Sequence, residues 1–219
     1  MDIAVASAGL ILIAPLFGAI AALIKIASPG PVFFRQDRVG YFGKVFTLYK
    51  FRTMHVNADP SLHRRHLASL ISAESTGGPG SCGTPMQKLD GDNDPRIIPF
   101  GKLLRRSCLD ELPQLINVLR GEMSLVGPRP PIPYEVEEYS RWHTARFDAV
   151  PGMTGLWQVS GKNRLSFREM VLLDIRYSRE RSLWLDALIL LLTPLVVVTQ
   201  IRDGLARAKP EAKGVAENA

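Results

Sequence analysis

The stretch Ile3 to Ile24 reads IAVASAGLILIAPLFGAIAALI, 22 residues without a charged side chain. As a helix it is about 33 Å long, against a hydrocarbon core of about 30 Å. A secretory signal peptide does not fit, because no basic region precedes the run and no small-residue cleavage pattern stands before Lys25. The expectation is a membrane helix over residues 1–27. Pro15 sits near its centre, removes one backbone hydrogen bond and clashes with the preceding turn, so the helix is expected to kink there and either to cross the bilayer or to bend back, re-entrant, to the face it came from. A second apolar run, residues 183–201, carries only Asp186 as a charge and contains Pro194. It reads first as an interfacial helix with its apolar face in the headgroup layer, with a second membrane span and a buried core helix as the alternatives.

Charge is concentrated just after the first run. From Lys25 to His66 there are eight Lys or Arg, namely Lys25, Arg35, Arg38, Lys44, Lys50, Arg52, Arg64 and Arg65, opposed only by Asp37 and Asp59. That surplus equals the formal net charge of the whole 219-residue chain, +6. Basic residues beside a membrane segment favour the cytoplasmic face and anionic headgroups. Residues 28–219 are therefore expected to form a domain on the cytoplasmic face of the membrane. No recognition-helix, RNP-like or zinc-finger pattern accompanies the charge, which argues against nucleic acid. With 46% apolar and 22% charged residues the chain is not disordered, and two cysteines supply neither a disulfide scaffold nor a four-thiolate zinc site.

The remainder reads as α+β and mainly helical. Residues 32–39 and 44–54 are rich in aromatic and β-branched side chains around a glycine-bounded turn, which predicts a hairpin. Residues two apart share a strand face, so Phe46, Leu48, Lys50 and Arg52 should line one side. Helices are expected over 61–71, 99–121, 134–147 and 166–181. Residues 75–85, STGGPGSCGTP, read as a flexible loop. The Gly/Pro-rich segments 127–133 and 151–163 are either tethers or rigid ligand-binding loops. His63 and His66 are expected to be solvated.

Chemistry concentrates in LRRSCLDELPQLINVLRGEMSLVGPRP, residues 103–130. Asp110 and Glu111 are adjacent and followed by Leu112-Pro113, which predicts a dyad at a helix N-terminus, where the dipole favours anions. The structural alternative is a Ser107-x-x-Asp110 capping box with an Arg106–Asp110 pair. Arg105 and Arg106 precede the dyad, and Arg129 is held between two prolines. A fixed guanidinium suits bidentate contact to phosphate. Carboxylates among cations beside a membrane segment point to a phosphate-bearing substrate handled with Mg²⁺. No P-loop and no kinase motif set is present.

Five co-linear segments, SPGPVFFRQDRVG, FTLYKFRTM, DPRIIPFGKLLRRSCLDELPQLINVLRGEMSLVGPRP, PGMTGLWQVSGKNRLSF and LDIRYSRERSLWLDALIL, together resemble the bacterial sugar transferase family, the monotopic polyprenyl-phosphate sugar-1-phosphate transferases or phosphoglycosyl transferases. The resemblance covers nearly the whole chain. It implies a UDP-sugar donor, a polyprenyl phosphate acceptor such as undecaprenyl phosphate, release of UMP, and the first membrane step of exopolysaccharide, capsule, O-antigen or glycan assembly. It implies Asp110 as the nucleophile, which forms an aspartyl sugar-phosphate that the acceptor then attacks, and Glu111 as the Mg²⁺ ligand. Arg105 and Arg129 would hold phosphate or nucleotide groups, Lys50 and Arg52 the basic wall, and Lys162 and Asp174 further contacts with the substrate.

The chain departs from the family pattern at three points. Ala14-Pro15 stands where the family often has Ser-Pro, Lys162 where it often has Arg, and no basic residue precedes the membrane helix. The rival reading is a non-enzymatic anchor module whose basic face binds lipid or a partner, which leaves the dyad and the GPRP segment without a role.

Overall fold

The computed structural model describes residues 1–56, 59, 61–76, 85 and 94–207. Helix α1 runs from Asp2 to Ala27 and is continuous through Pro15. A hairpin follows, β1 (Phe33–Val39) and β2 (Val45–Phe51), antiparallel with Phe33 opposite Phe51 and Val39 opposite Val45. Then come α2 (Ser61–Thr76), α3 (Gly101–Arg106), α4 (Gln114–Leu119), β3 (Ser124–Val126), α5 (Pro133–Val136), β4 (Gly152–Thr154), α6 (Leu156–Val159), α7 (Phe167–Glu180) and α8 (Leu183–Arg207). The mixture is mostly helical, as expected.

Helix α1 is not a free-standing anchor. Ala6, Leu10, Ile13, Phe17, Ile20 and Ile24 recur at spacings of three and four, so they form one stripe along the helix. The first half of the stripe packs on Leu48, Leu115, Val118 and Leu125. The second half packs on Phe51, Ile98 and Leu104. Phe17, Phe33 and Phe51 form an aromatic trio with ring centroids 4.6–5.8 Å apart that clasps the helix to the hairpin. The opposite face presents Ile11, Leu12 and Ile26, each more than three-quarters exposed. Helix α8 is built the same way. Ile189 is buried and the Thr193 hydroxyl meets that of Thr154 at 2.8 Å, while Leu183, Trp184, Leu191 and Leu195 face outward. Pro194 lies inside α8 without ending it. Both helices are long and apolar enough to cross a membrane.

Several local expectations are corrected. Residues 99–121 do not make one helix. Cys108 adopts φ 56°, a left-handed conformation that ends the helical path, so α3 gives way to a 3-10 turn, Leu109–Glu111, and then α4. Residues 134–147 form short α5 and a 3-10 segment, Arg141–Asp148, instead of an amphipathic α-helix. The expected helix at 166–181 is α7, opened by reciprocal bonds between Ser166 and Glu169. Of the loop expected at 75–85, Ser75 and Thr76 end α2, and 77–84 lie outside the described residues.

The two Gly/Pro-rich segments become one rigid unit. β3 and β4 pair in parallel, and Gly127 N–H donates to Thr154 O at 2.8 Å while Gly152 N–H donates to Pro128 O at 2.9 Å. A Cβ on Gly127 would run into the Val150 carbonyl, so only glycine permits this approach. This second sheet was not foreseen, because three-residue strands interrupted by Gly and Pro show no alternation to read.

Candidate active site

Strand β2 and helix α4 set the first wall. Asn117, fully buried on α4, accepts from Tyr49 N–H at 3.1 Å and donates from Nδ2 to Thr47 O at 2.8 Å. It thereby satisfies the outer edge of β2 and fixes the 3-10 turn ahead of α4 against that strand. Asp110 is 9% exposed in this turn and Glu111 stands beside it. The expectation of a dyad at the N-terminus of a regular helix is therefore corrected: it lies in the 3-10 turn ahead of α4. There is also no capping box, since the Ser107 hydroxyl donates back to Leu103 O and Leu104 O. Lys50 Nζ donates to Glu111 Oε1 at 2.8 Å, directly joining two residues singled out in the sequence.

Arg52 points elsewhere. It is 4% exposed and donates to Ser28 O and Pro29 O, each at 2.7 Å, so it caps the end of α1. Arg105 is half-buried in the last turn of α3. It adds to the cationic surroundings of Asp94, whose hydrogen bonds to Arg96 hold its carboxyl down at about 2.

Arg129 forms the second wall and is the best-supported cation of the site. Its guanidinium donates to Glu135 Oε2 at 3.2 Å. Its carbonyl accepts from Arg146 Nη2 at 3.1 Å, and the next carbonyl, of Pro130, accepts from Arg38 Nη1 at 2.8 Å. Arg146 also donates to the Tyr139 hydroxyl at 2.7 Å and pairs with Asp174, and Tyr139 donates to Glu135 at 2.8 Å. Glu135, Arg146 and Asp174 are all fully buried or nearly so. Asp174, expected to contact the substrate, is buried on α7 and is linked to Arg129 through Arg146, which pairs with Asp174 and donates to the Arg129 carbonyl.

The electrostatics follow from that burial. Burial pushes the Asp174 carboxyl up to about 6, against the pull of Arg146. Burial also opposes ionisation of Glu135, but Arg129, Arg146 and the Tyr139 hydroxyl outweigh it and hold its carboxyl below the ordinary value. Arg38 is 8% exposed, and burial together with the neighbouring Arg129 lowers its guanidinium to about 10, with Glu135 and Glu111 pulling the other way. Arg38 thus lies within electrostatic reach of both Glu111 and Arg129. His63 is half-buried and its Nδ1 meets Tyr134 Oη at 2.7 Å, which corrects its solvated reading.

Lys162 approaches from a third direction. It sits in the 3-10 turn Lys162–Arg164 and donates to Gln200 Oε1 of α8 at 2.6 Å. Of the residues expected at the site, Lys50 and Glu111 are paired beside Asp110, and Arg129 and Glu111 both act electrostatically on Arg38. Lys162 bonds to Gln200 of α8, Asp174 is tied to Arg129 through Arg146, Arg105 lies one element upstream, and Arg52 serves α1. Arg38, Asn117, Glu135, Tyr139 and Arg146 were missed as site residues. Their importance comes from burial and pairing across many residues, which no local spacing reveals.

Residues 1–200 match the family described as bacterial sugar transferase. The chain belongs to that family. It is 40% identical over 192 residues to the exopolysaccharide production protein ExoY of Rhizobium meliloti, covering 88% of this chain and 81% of that protein. It is 45% identical over 170 residues to the galactosyl transferase CpsE of Streptococcus agalactiae, covering 77% of this chain and 35% of that one. Over 181 residues it is 40% identical to the undecaprenyl-phosphate galactose phosphotransferase of Salmonella typhimurium, covering 80% and 34%. This sugar transferase chain therefore spans about a third of the length of the latter two and most of the first.

Proposed function

We propose that this chain transfers a sugar 1-phosphate from a UDP-sugar to a polyprenyl phosphate, such as undecaprenyl phosphate, through a covalent aspartyl intermediate. The observation that carries the reading is the sheltered Asp110 on a turn whose neighbour, Glu111, is tied to Lys50, in a cleft completed by Arg38 and Arg129. An Asp110 carboxylate oxygen attacks the β-phosphorus, and the bond from that phosphorus to the bridging oxygen breaks, so UMP leaves with the electron pair. A polyprenyl phosphate oxygen then attacks the same phosphorus and releases the carboxylate. Both steps bring anion to anion, so their rate depends on cations already in place. Arg129, Arg38 and Lys50 provide these without rearrangement.

Mg²⁺ commonly takes one or two protein carboxylates together with substrate phosphates, and the adjacent Asp110 and Glu111 offer such oxygen donors. Glu111 would hold the ion, and when bound it would neutralise phosphate charge.

The outward apolar faces of α1 and α8 support a monotopic seat on the cytoplasmic face of a bacterial inner membrane, with α1 re-entering at Pro15. Single cysteines placed at the two ends of α1 should then react alike with an impermeant maleimide in spheroplasts and in inverted vesicles, and opposite accessibility would mean a spanning helix. For the chemistry, the protein is incubated with a panel of radiolabelled UDP-sugars without acceptor. Label that remains on denatured wild type and is missing from Asp110→Asn supports the covalent route. UMP release only in the presence of acceptor would mean direct attack, and no turnover with any sugar would favour an anchor module.

A further inference from the structure

Two of the four non-glycine residues with positive φ among the described residues are Cys108, at 56°, and Lys162, at 43°. Such conformations are strained and persist where surrounding structure holds them. The two are far apart in sequence and belong to different elements. Cys108 leads into the 3-10 turn that carries Asp110 and Glu111, and Lys162 opens the 3-10 turn after α6. They converge on one atom. Gln200 Oε1 accepts from Lys162 Nζ at 2.6 Å and from Cys108 Sγ at 3.9 Å. Gln200 lies on the inward side of α8, eleven residues beyond the buried Ile189, while Leu191, Leu195 and Val198 on the same helix face outward.

We infer that Gln200 is a positioning residue for the transfer reaction: its amide oxygen holds the catalytic turn, through Cys108, in register with the Lys162 turn. The inference rests on the proposed function and goes beyond it by giving α8 a part in catalysis. Geometry makes the assignment specific. A single acceptor fixes two left-handed residues at once, so its loss leaves the Asp110 turn one fewer restraint on a conformation it would not adopt unaided. Small displacements of a nucleophile are costly, because attack requires near-contact alignment with phosphorus.

The test uses the full chain in detergent or nanodiscs and reads the single-turnover rate of label transfer from UDP-sugar to protein without acceptor, together with the thermal midpoint. Gln200→Met preserves length and removes the acceptor. It is expected to slow labelling at least tenfold while moving the midpoint by less than about 3 °C, since the two bonds it removes, one part-exposed and one from a weak thiol donor, contribute little to folding. Gln200→Glu restores an acceptor and is expected to recover at least half of the wild-type rate. A merely structural residue would show lost stability without this rescue. Wild-type labelling by Gln200→Met, or a loss that Gln200→Glu does not restore, overturns the inference while leaving the aspartyl route standing. A wild-type protein that takes no label from any UDP-sugar removes the proposed function and this inference together.

Discussion

Replacing Asp174 by Leu should destabilise the protein by about 3–4 kcal/mol, because it strands Arg146 in the interior. The side chains of Arg146 and Asp174 are 0% and 1% exposed. Removing one member of a buried ion pair leaves an uncompensated charge and typically costs about 3–5 kcal/mol. Here the lower part of that range applies. Arg146 keeps two hydrogen-bond acceptors, Tyr139 Oη and the Arg129 carbonyl, but the nearest remaining carboxylate is Glu135 at 3.9 Å, which also serves Arg129. For a chain of this size about 2–4 °C in midpoint corresponds to 1 kcal/mol, so the expected fall is about 6–16 °C. Trp142 and Trp157 pack around α7, which carries Asp174, so intrinsic fluorescence during heating in detergent reports the transition. The double variant Arg146→Met/Asp174→Leu removes both charges and should recover at least half of the loss. A single variant within about 1 kcal/mol of wild type, or a double variant worse than the single, would refute the view that this pair is a buried, mutually dependent unit.

Lys50→Met should separate function from folding: its pair with Glu111 is about a quarter to a third exposed, so stability should change by less than about 1 kcal/mol, whereas UMP release should fall at least a hundredfold. Asn117→Ala leaves Tyr49 N–H and Thr47 C=O without their partner and should cost about 2–4 kcal/mol by urea unfolding. Arg52→Met should lower stability by a similar amount, through the lost cap on Ser28 and Pro29, with kcat of the folded fraction reduced less than threefold. The pH dependence has a definite sign. The Asp174 carboxyl is raised to about 6 on folding, so its contribution is fully present below the unfolded value of 3.8 and is lost as pH rises through 6. Between pH 4 and 7 wild type should therefore lose stability relative to Asp174→Asn, and parallel midpoint curves for the two would contradict the raised value.

Elements with a strong local signal were legible in the sequence. The long apolar helix, the hairpin with its aromatic and β-branched strands, and α7 behind its Ser166-x-x-Glu169 start all announce themselves within a dozen residues. The dyad was visible as two adjacent carboxylates, and its link to Lys50 as an expected neighbour on the site's basic wall. The geometry of the catalytic turn was not legible, because it depends on a left-handed cysteine, a residue type with no special preference for that conformation. The support beneath Arg129 was hidden for another reason. Glu135, Arg146 and Asp174 are ordinary charged residues in polar surroundings when read along the chain, and only the closing of three distant segments turns them into a dry network. Arg52 shows the reverse case: a basic residue just past the end of β2, diverted by two nearby carbonyls.

The stripe on α1 has a practical corollary. Two of the three apolar clusters among the described residues are completed by this helix, and the aromatic clasp at Phe17 binds it to the hairpin. Cutting the polypeptide after Ala27 would not liberate a water-soluble enzyme. It would bare the greasy flank of α4 and the hairpin, and the remainder should aggregate unless detergent or a substitute helix covers the wound. On the proposed function, a protein arranged this way cannot swing on a tether towards a lipid acceptor, and the bilayer would have to deliver the acceptor to a site positioned by the same side chains that hold the molecule together.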